Sequence, residues 1–145
     1  RHVIVSWMLV RLVLAILLVG SVAHAAPDQQ PSFVLTVNEP VGGKPAQGKA
    51  LTDAIRAREA ELKPALLAKT KAHPVSRLRL GVSLAVLPDG SLKPTVAAFS
   101  YRDASGEIRD DSIKTTITDI LGKTKKLAPG LKGMTVEISV AILQP

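Results

Sequence analysis

The sequence predicts an α+β domain, a small antiparallel sheet packed on two helices in the order helix, strand, strand, helix, strand. Three observations predict it. Residues 78–86 and 134–142 alternate apolar with polar or small residues at a period of two. Two other stretches, starting at Leu51 and Ile113, carry apolar residues at helical spacing. Pro88-Asp89-Gly90 then interrupts an apolar run that resumes at Leu92, which is the chemistry of a hairpin turn.

Before these elements come a leader and a linker. Residues 1–25 read as a signal peptide: Arg1 and Arg11 are the only charges, and residues 12–18 are an unbroken apolar run. Ala23-His24-Ala25 puts a small residue at each end of a tripeptide suited to signal peptidase, with the cut before Ala26. This implies an exported protein. The competing reading keeps the leader as an inner-membrane anchor, since residues 3–22 nearly reach bilayer length, although Arg11 inside that run would be costly in lipid. Residues 26–50 hold Pro27, Pro31, Pro40 and Pro45 with Gly42, Gly43 and Gly48, and read as a linker. Within it, residues 32–37 are β-prone and able to add a strand to a later sheet. The folded domain is then expected over residues 51–145.

In that domain Leu51, Ile55, Leu62 and Leu66 share one helical stripe. A helix over 52–72 follows, capped by Thr52 or Asp53, kinked or restarted near Pro64, and ended by His73-Pro74. Leu78, Leu80, Val82, Leu84 and Val86 next alternate with Arg77, Arg79, Gly81, Ser83 and Ala85, a strand with one buried face. After the turn the chain resumes over 92–101, where Pro94, lacking an N–H, marks a strand at the sheet edge or one whose nitrogen there points away from a partner. Asp103-Ala-Ser-Gly106 is a second turn. Asp110 and Asp111 precede the stripe Ile113, Ile117, Ile120, Leu121 and Leu127, and Lys123, Lys125 and Lys126 sit at its far end; both groups suit the helix dipole. Pro129-Gly130 closes the helix. Met134, Val136, Ile138, Val140 and Ile142 form the buried side of the last strand.

Composition narrows the chemistry. Nineteen basic against twelve acidic residues give a net charge of +7, or +5 (17 against 12) without the leader's two arginines. Beyond the leader the aromatics are Phe33, Phe99 and Tyr101, too few for a base-stacking platform, so nucleic acid is not an expected partner. The absence of cysteine excludes disulfides, thiolate nucleophiles and cysteine metal sites. His73, the sole histidine past the leader, lies between a basic helix end and a proline and reads as a solvated boundary residue. No nucleophile with a neighbouring base can be assembled, and Asp103, Asp110 and Asp111 fit no ordered cation loop. The expectation is a protein without catalytic residues, metal or cofactor.

The element order, with Leu87-Pro-Asp-Gly-Ser-Leu92 in the hairpin, resembles the C-terminal domain of the TonB energy transducers. It resembles more closely the related AgmX/PglI-type domain of gliding-motility proteins. The matching residues are Glu61-Leu-Lys-Pro64, residues 78–86, Leu87-Pro-Asp-Gly90, residues 113–127 and residues 133–142, so the resemblance spans 51–143. Ala65-Leu66 stands where a Cys-Tyr pair often follows the first-helix proline, and Lys126-Leu127-Ala128 where aromatics usually close the second helix. TonB-like domains bind partner segments by strand addition. The resemblance therefore implies a non-enzymatic interaction module of the cell envelope, pairing with an envelope protein or a second copy through a sheet edge. The expected edges are the last strand, with Val136, Ile138, Val140 and Ile142, and residues 92–101. Residues 26–50 span at most about 75 Å as polyproline, too short to carry force across a typical periplasm. An alternative role is contact with an anionic polymer or lipid through Arg77, Arg79, Lys123, Lys125 and Lys126.

Overall fold

The computed structural model describes residues 29–145; the leader and its expected cleavage site lie outside them. The elements are β1 (Ser32–Val37), α1 (Pro45–Arg56), α2 (Glu59–Thr70), β2 (Arg77–Val86), β3 (Leu92–Asp103), β4 (Gly106–Glu107), α3 (Ser112–Gly122), a short 3-10 turn (Pro129–Leu131) and β5 (Thr135–Leu143). The protein is α+β, with one five-stranded antiparallel sheet in the order β1-β5-β2-β3-β4.

The linker expected over 26–50 is folded from Pro31 onward, where the compact unit begins. Phe33, Leu35 and Val37 all face the core, so residues 32–37 form a true strand and pair along their length with β5. Pro45 stands in the first turn of α1, where its missing N–H has no intrahelical partner to lose. The long first helix is also corrected in detail. It breaks at Ala57-Arg58 rather than at Pro64, which sits inside α2. Both break residues keep right-handed helical dihedrals, so the stripe continues across it: Leu51 and Ile55 on α1, Leu62 and Leu66 on α2, all fully buried.

The three α-helices of the described residues cover one face of the sheet. Leu78, Leu80, Val82, Leu84 and Val86 of β2 and Val136, Ile138, Val140 and Ile142 of β5 meet Ile113, Ile117 and Leu121 of α3 in a single core. Burying each such side chain stabilises the fold by roughly 1.5–3 kcal/mol. The C-terminus is tied in by Gln144, whose amide donates to Leu67 O (3.2 Å) and Thr70 Oγ1 (3.0 Å).

One irregularity fixes which side chains reach that core. The hairpin pairs Val82 with Val96 but Gly81 with Ala98, leaving Ala97 as an extra residue in a β-bulge. Without it, Phe99 and Tyr101 would turn outward, since a one-residue slip exchanges the faces of a strand. With it, Tyr101 is fully buried and Phe99 packs on the core, covered by the Lys114 ammonium 4.7 Å from its ring centre.

Candidate functional site

Among the described residues, the surfaces open to a partner are the sheet's two edges and the face that carries no helix. The last strand is not an edge. β5 lies between β1 and β2 and is bonded on both sides, and Val136, Ile138, Val140 and Ile142 are buried against the helices. Their apolar alternation reflects a central strand of a one-sided core. The β-prone segment at 32–37 occupies the side on which a partner strand was expected.

The opposite edge is β3, as Pro94 implies, because β4 pairs only with Arg102 and Asp103. Its outward groups are known from their partners: Leu92 N–H donates to Thr124 O (3.2 Å), and Tyr101 O accepts from Ile108 N–H (2.8 Å). Alternation through the register then points Pro94, Val96 and Phe99 outward as well. Both ends of this edge are thus tied down, Pro94 offers no donor, and the bulge at Ala97 bends the ladder. These are the devices that keep an edge from pairing.

β1 forms the other edge. Asn38 N–H donates to Glu137 O (2.9 Å), so even-numbered residues of this strand face β5 and Phe33, Leu35 and Val37 present their N–H and C=O groups outward. The strand is regular, with neither proline nor bulge between Ser32 and Val37. One outward group is engaged: the Arg56 guanidinium, held by Glu59 at 3.2 Å, donates to Leu35 O at 2.9 Å. Among the described residues, no hydrogen bond engages the outward groups of Phe33 or Val37.

The bare face is built from the other residue of each strand pair. Its rows run Ser32, Leu143, Arg77, Arg102 and, next to it, Val34, Ala141, Arg79, Ser100. All eight are exposed. Arg77 stands directly opposite Arg102, and no ion pair among the described residues engages Arg77, Arg79 or Arg102.

The lysines of the expected basic patch are elsewhere. α3 ends at Gly122, short of Leu127, and residues 123–127 fold over the hairpin turn instead. Leu127 N–H donates to Gly90 O (2.9 Å), buried Thr124 accepts from Arg58 Nε (2.8 Å), and Lys123 lies 3.6 Å from Glu61. Arg77 opens β2 and this loop touches its far end, ten residues and about 30 Å away. The five basic residues therefore do not form one surface.

The acidic candidates are structural. Asp89 Oδ1 accepts from Ser91 N–H (3.0 Å) and Ser91 Oγ (2.6 Å), and these bonds hold its carboxyl below the usual range. Asp103 accepts from Ser105 N–H (2.8 Å), and Asp110 takes the N–H and hydroxyl of Ser112 at the start of α3. His73 stacks edge-on to Tyr101, 5.7 Å between ring centres, with Nδ1 3.9 Å from Asp103. Burial raises the Tyr101 phenol above its ordinary pKa. No group of three or more potential metal-ligating residues gathers among the described residues, and no helix there is long and apolar enough to cross a membrane.

Sequence reasoning missed Arg56 and Arg102. The position of Arg102 opposite Arg77 depends on the bulge, whose signal is a change of phase: apolar residues at 92 and 96, then at 99 and 101. Fold and surfaces together define a one-sided α+β sheet domain with one regular, lightly guarded edge. Comparison with known proteins found no matching family model, curated protein or solved structure.

Proposed function

We propose that this chain is a non-enzymatic interaction module of the bacterial envelope that takes up an extended segment of a partner protein along β1. The observation that carries it is the edge itself: a regular six-residue strand whose outward groups at Phe33 and Val37 are unengaged among the described residues. Strand addition needs only such groups, with alternate side chains supplying selectivity. Arg56 acts as a guard, holding one carbonyl until a partner N–H replaces it. The resemblance to TonB-like domains supports the same mode of binding, and export through the leader would place the module in the periplasm or outside the cell.

The test uses the lack of cysteine. A single Thr36→Cys substitution on exposed β1 carries a photo-crosslinker, and Ser100→Cys on β3 serves as control. Envelope protein captured from Thr36→Cys should be captured better after Arg56→Ala, by about three- to fivefold if one competing hydrogen bond of about 1 kcal/mol is removed. Val37→Pro deletes an outward donor and should weaken capture. Equal capture from both cysteines, unchanged by either variant, would refute the proposal.

A further inference from the structure

We infer that the Arg77 end of the bare sheet face is a docking surface for anionic lipid, distinct from the outward backbone groups of β1 and independent of strand addition. Like charges directly opposite one another destabilise a sheet, yet Arg77 faces Arg102, with Arg79 two residues along on the same face. Glu107 lies opposite Arg102 on β4, but no ion pair joins the two among the described residues, and an anionic surface would relieve the clustering.

Apolar groups accompany the arginines. Val34, Val75 and Leu143, respectively 52%, 70% and 48% exposed, are three of the large apolar side chains left in solvent. Leu143 is the cross-strand neighbour of Arg77, and Val34 lies in the row of Arg79 two strands away, on the other side of Ala141. Val75 and Leu143 share with Arg77 and Arg102 the lining of a shallow depression of about 420 Å³. Its acid, Asp103, is turned to Ser105 and His73. Cationic heads beside short apolar side chains match the boundary between lipid phosphates and acyl chains. A soluble anionic polymer would use the charges and gain nothing from the apolar groups.

Residues 31–145 hold the whole sheet, the three helices and the core, and suffice for the test. Co-sedimentation with vesicles of mixed phosphatidylglycerol and phosphatidylcholine should show binding, and phosphatidylcholine alone should not. Arg79→Gln and Arg102→Gln should each weaken it about fivefold, corresponding to about 1 kcal/mol per basic residue at an anionic surface. Leu143→Ser with Val34→Ser should weaken it several-fold, whereas Lys123→Gln with Lys125→Gln, at the other end, should leave it within twofold. Circular dichroism confirms that each variant is folded. Equal losses from the lysine and arginine variants, or no binding to either vesicle, would overturn the inference. So would equally strong binding to soluble polyglutamate that ignores Leu143→Ser and Val34→Ser.

Discussion

Arg77→Glu should make the protein more stable. At a charge separation of about 7 Å from Arg102 across the strand and from Arg79 along it, two unit charges in water interact by about 0.6 kcal/mol. Reversing one sign converts two repulsions into two attractions, a gross gain of about 2 kcal/mol. Screening over a Debye length of about 8 Å at physiological salt, and the entropy of fixing exposed side chains, reduce this to about 0.5–1 kcal/mol. Arg77 is the suitable site because its other neighbour is Leu143, whereas Arg102 also faces Glu107. Urea unfolding reads the effect as a rise in midpoint of about 0.3–0.5 M at physiological salt, larger at low salt and shrinking as salt is added. A midpoint that falls, or a gain indifferent to salt, would show that the arginines do not repel one another as the register requires.

Three further outcomes follow from the fold. Gly90→Ala should cost about 2–3 kcal/mol and lower the melting temperature by several degrees, because Gly90 has φ +85° and a Cβ there would lie 3.0 Å from Leu127 O; an unchanged melting curve would contradict it. Ile138→Pro should leave the chain unfolded by circular dichroism, since it breaks the ladder of a central strand; a folded variant would mean β5 is dispensable. Asp89→Asn should be less stable than the native chain at neutral pH, with the difference closing in acid. A depressed carboxyl stabilises fully above its unfolded pKa of about 4, and that contribution is lost as pH falls through the lower folded value. A difference that persists far below pH 4 would assign Asp89 another role.

The fold was legible where one period dominates. Leu78 to Val86 alternate without interruption, and Ile113, Ile117 and Leu121 keep one stripe, so both elements follow from local pattern. Pro88-Asp89-Gly90 set the hairpin, and Pro94 marked its strand as an edge, pointing its missing N–H outward. What local pattern does not contain is order across the sheet. Residues 32–37 look like a stray extended piece until β5, more than ninety residues later, supplies the partner that buries Leu35. The candidate site suffered most from this. The expected edge was interior, and its lysines belonged to a loop that follows the hairpin turn. Arg77 and Arg79 were visible, but their neighbour Arg102 depends on the single inserted Ala97, and the guard Arg56 on a hydrogen bond to a residue twenty-one positions away.

Amide hydrogen exchange along β1 tests the central proposal most directly. In the free protein, Val34 and Thr36 should exchange slowly because they face β5, while Phe33, Leu35 and Val37 exchange fast from the same strand. With the captured partner bound, those three should become protected as a set. Fast exchange at all three in a saturated complex, with new protection on β3 or the bare face instead, would contradict strand addition at this edge.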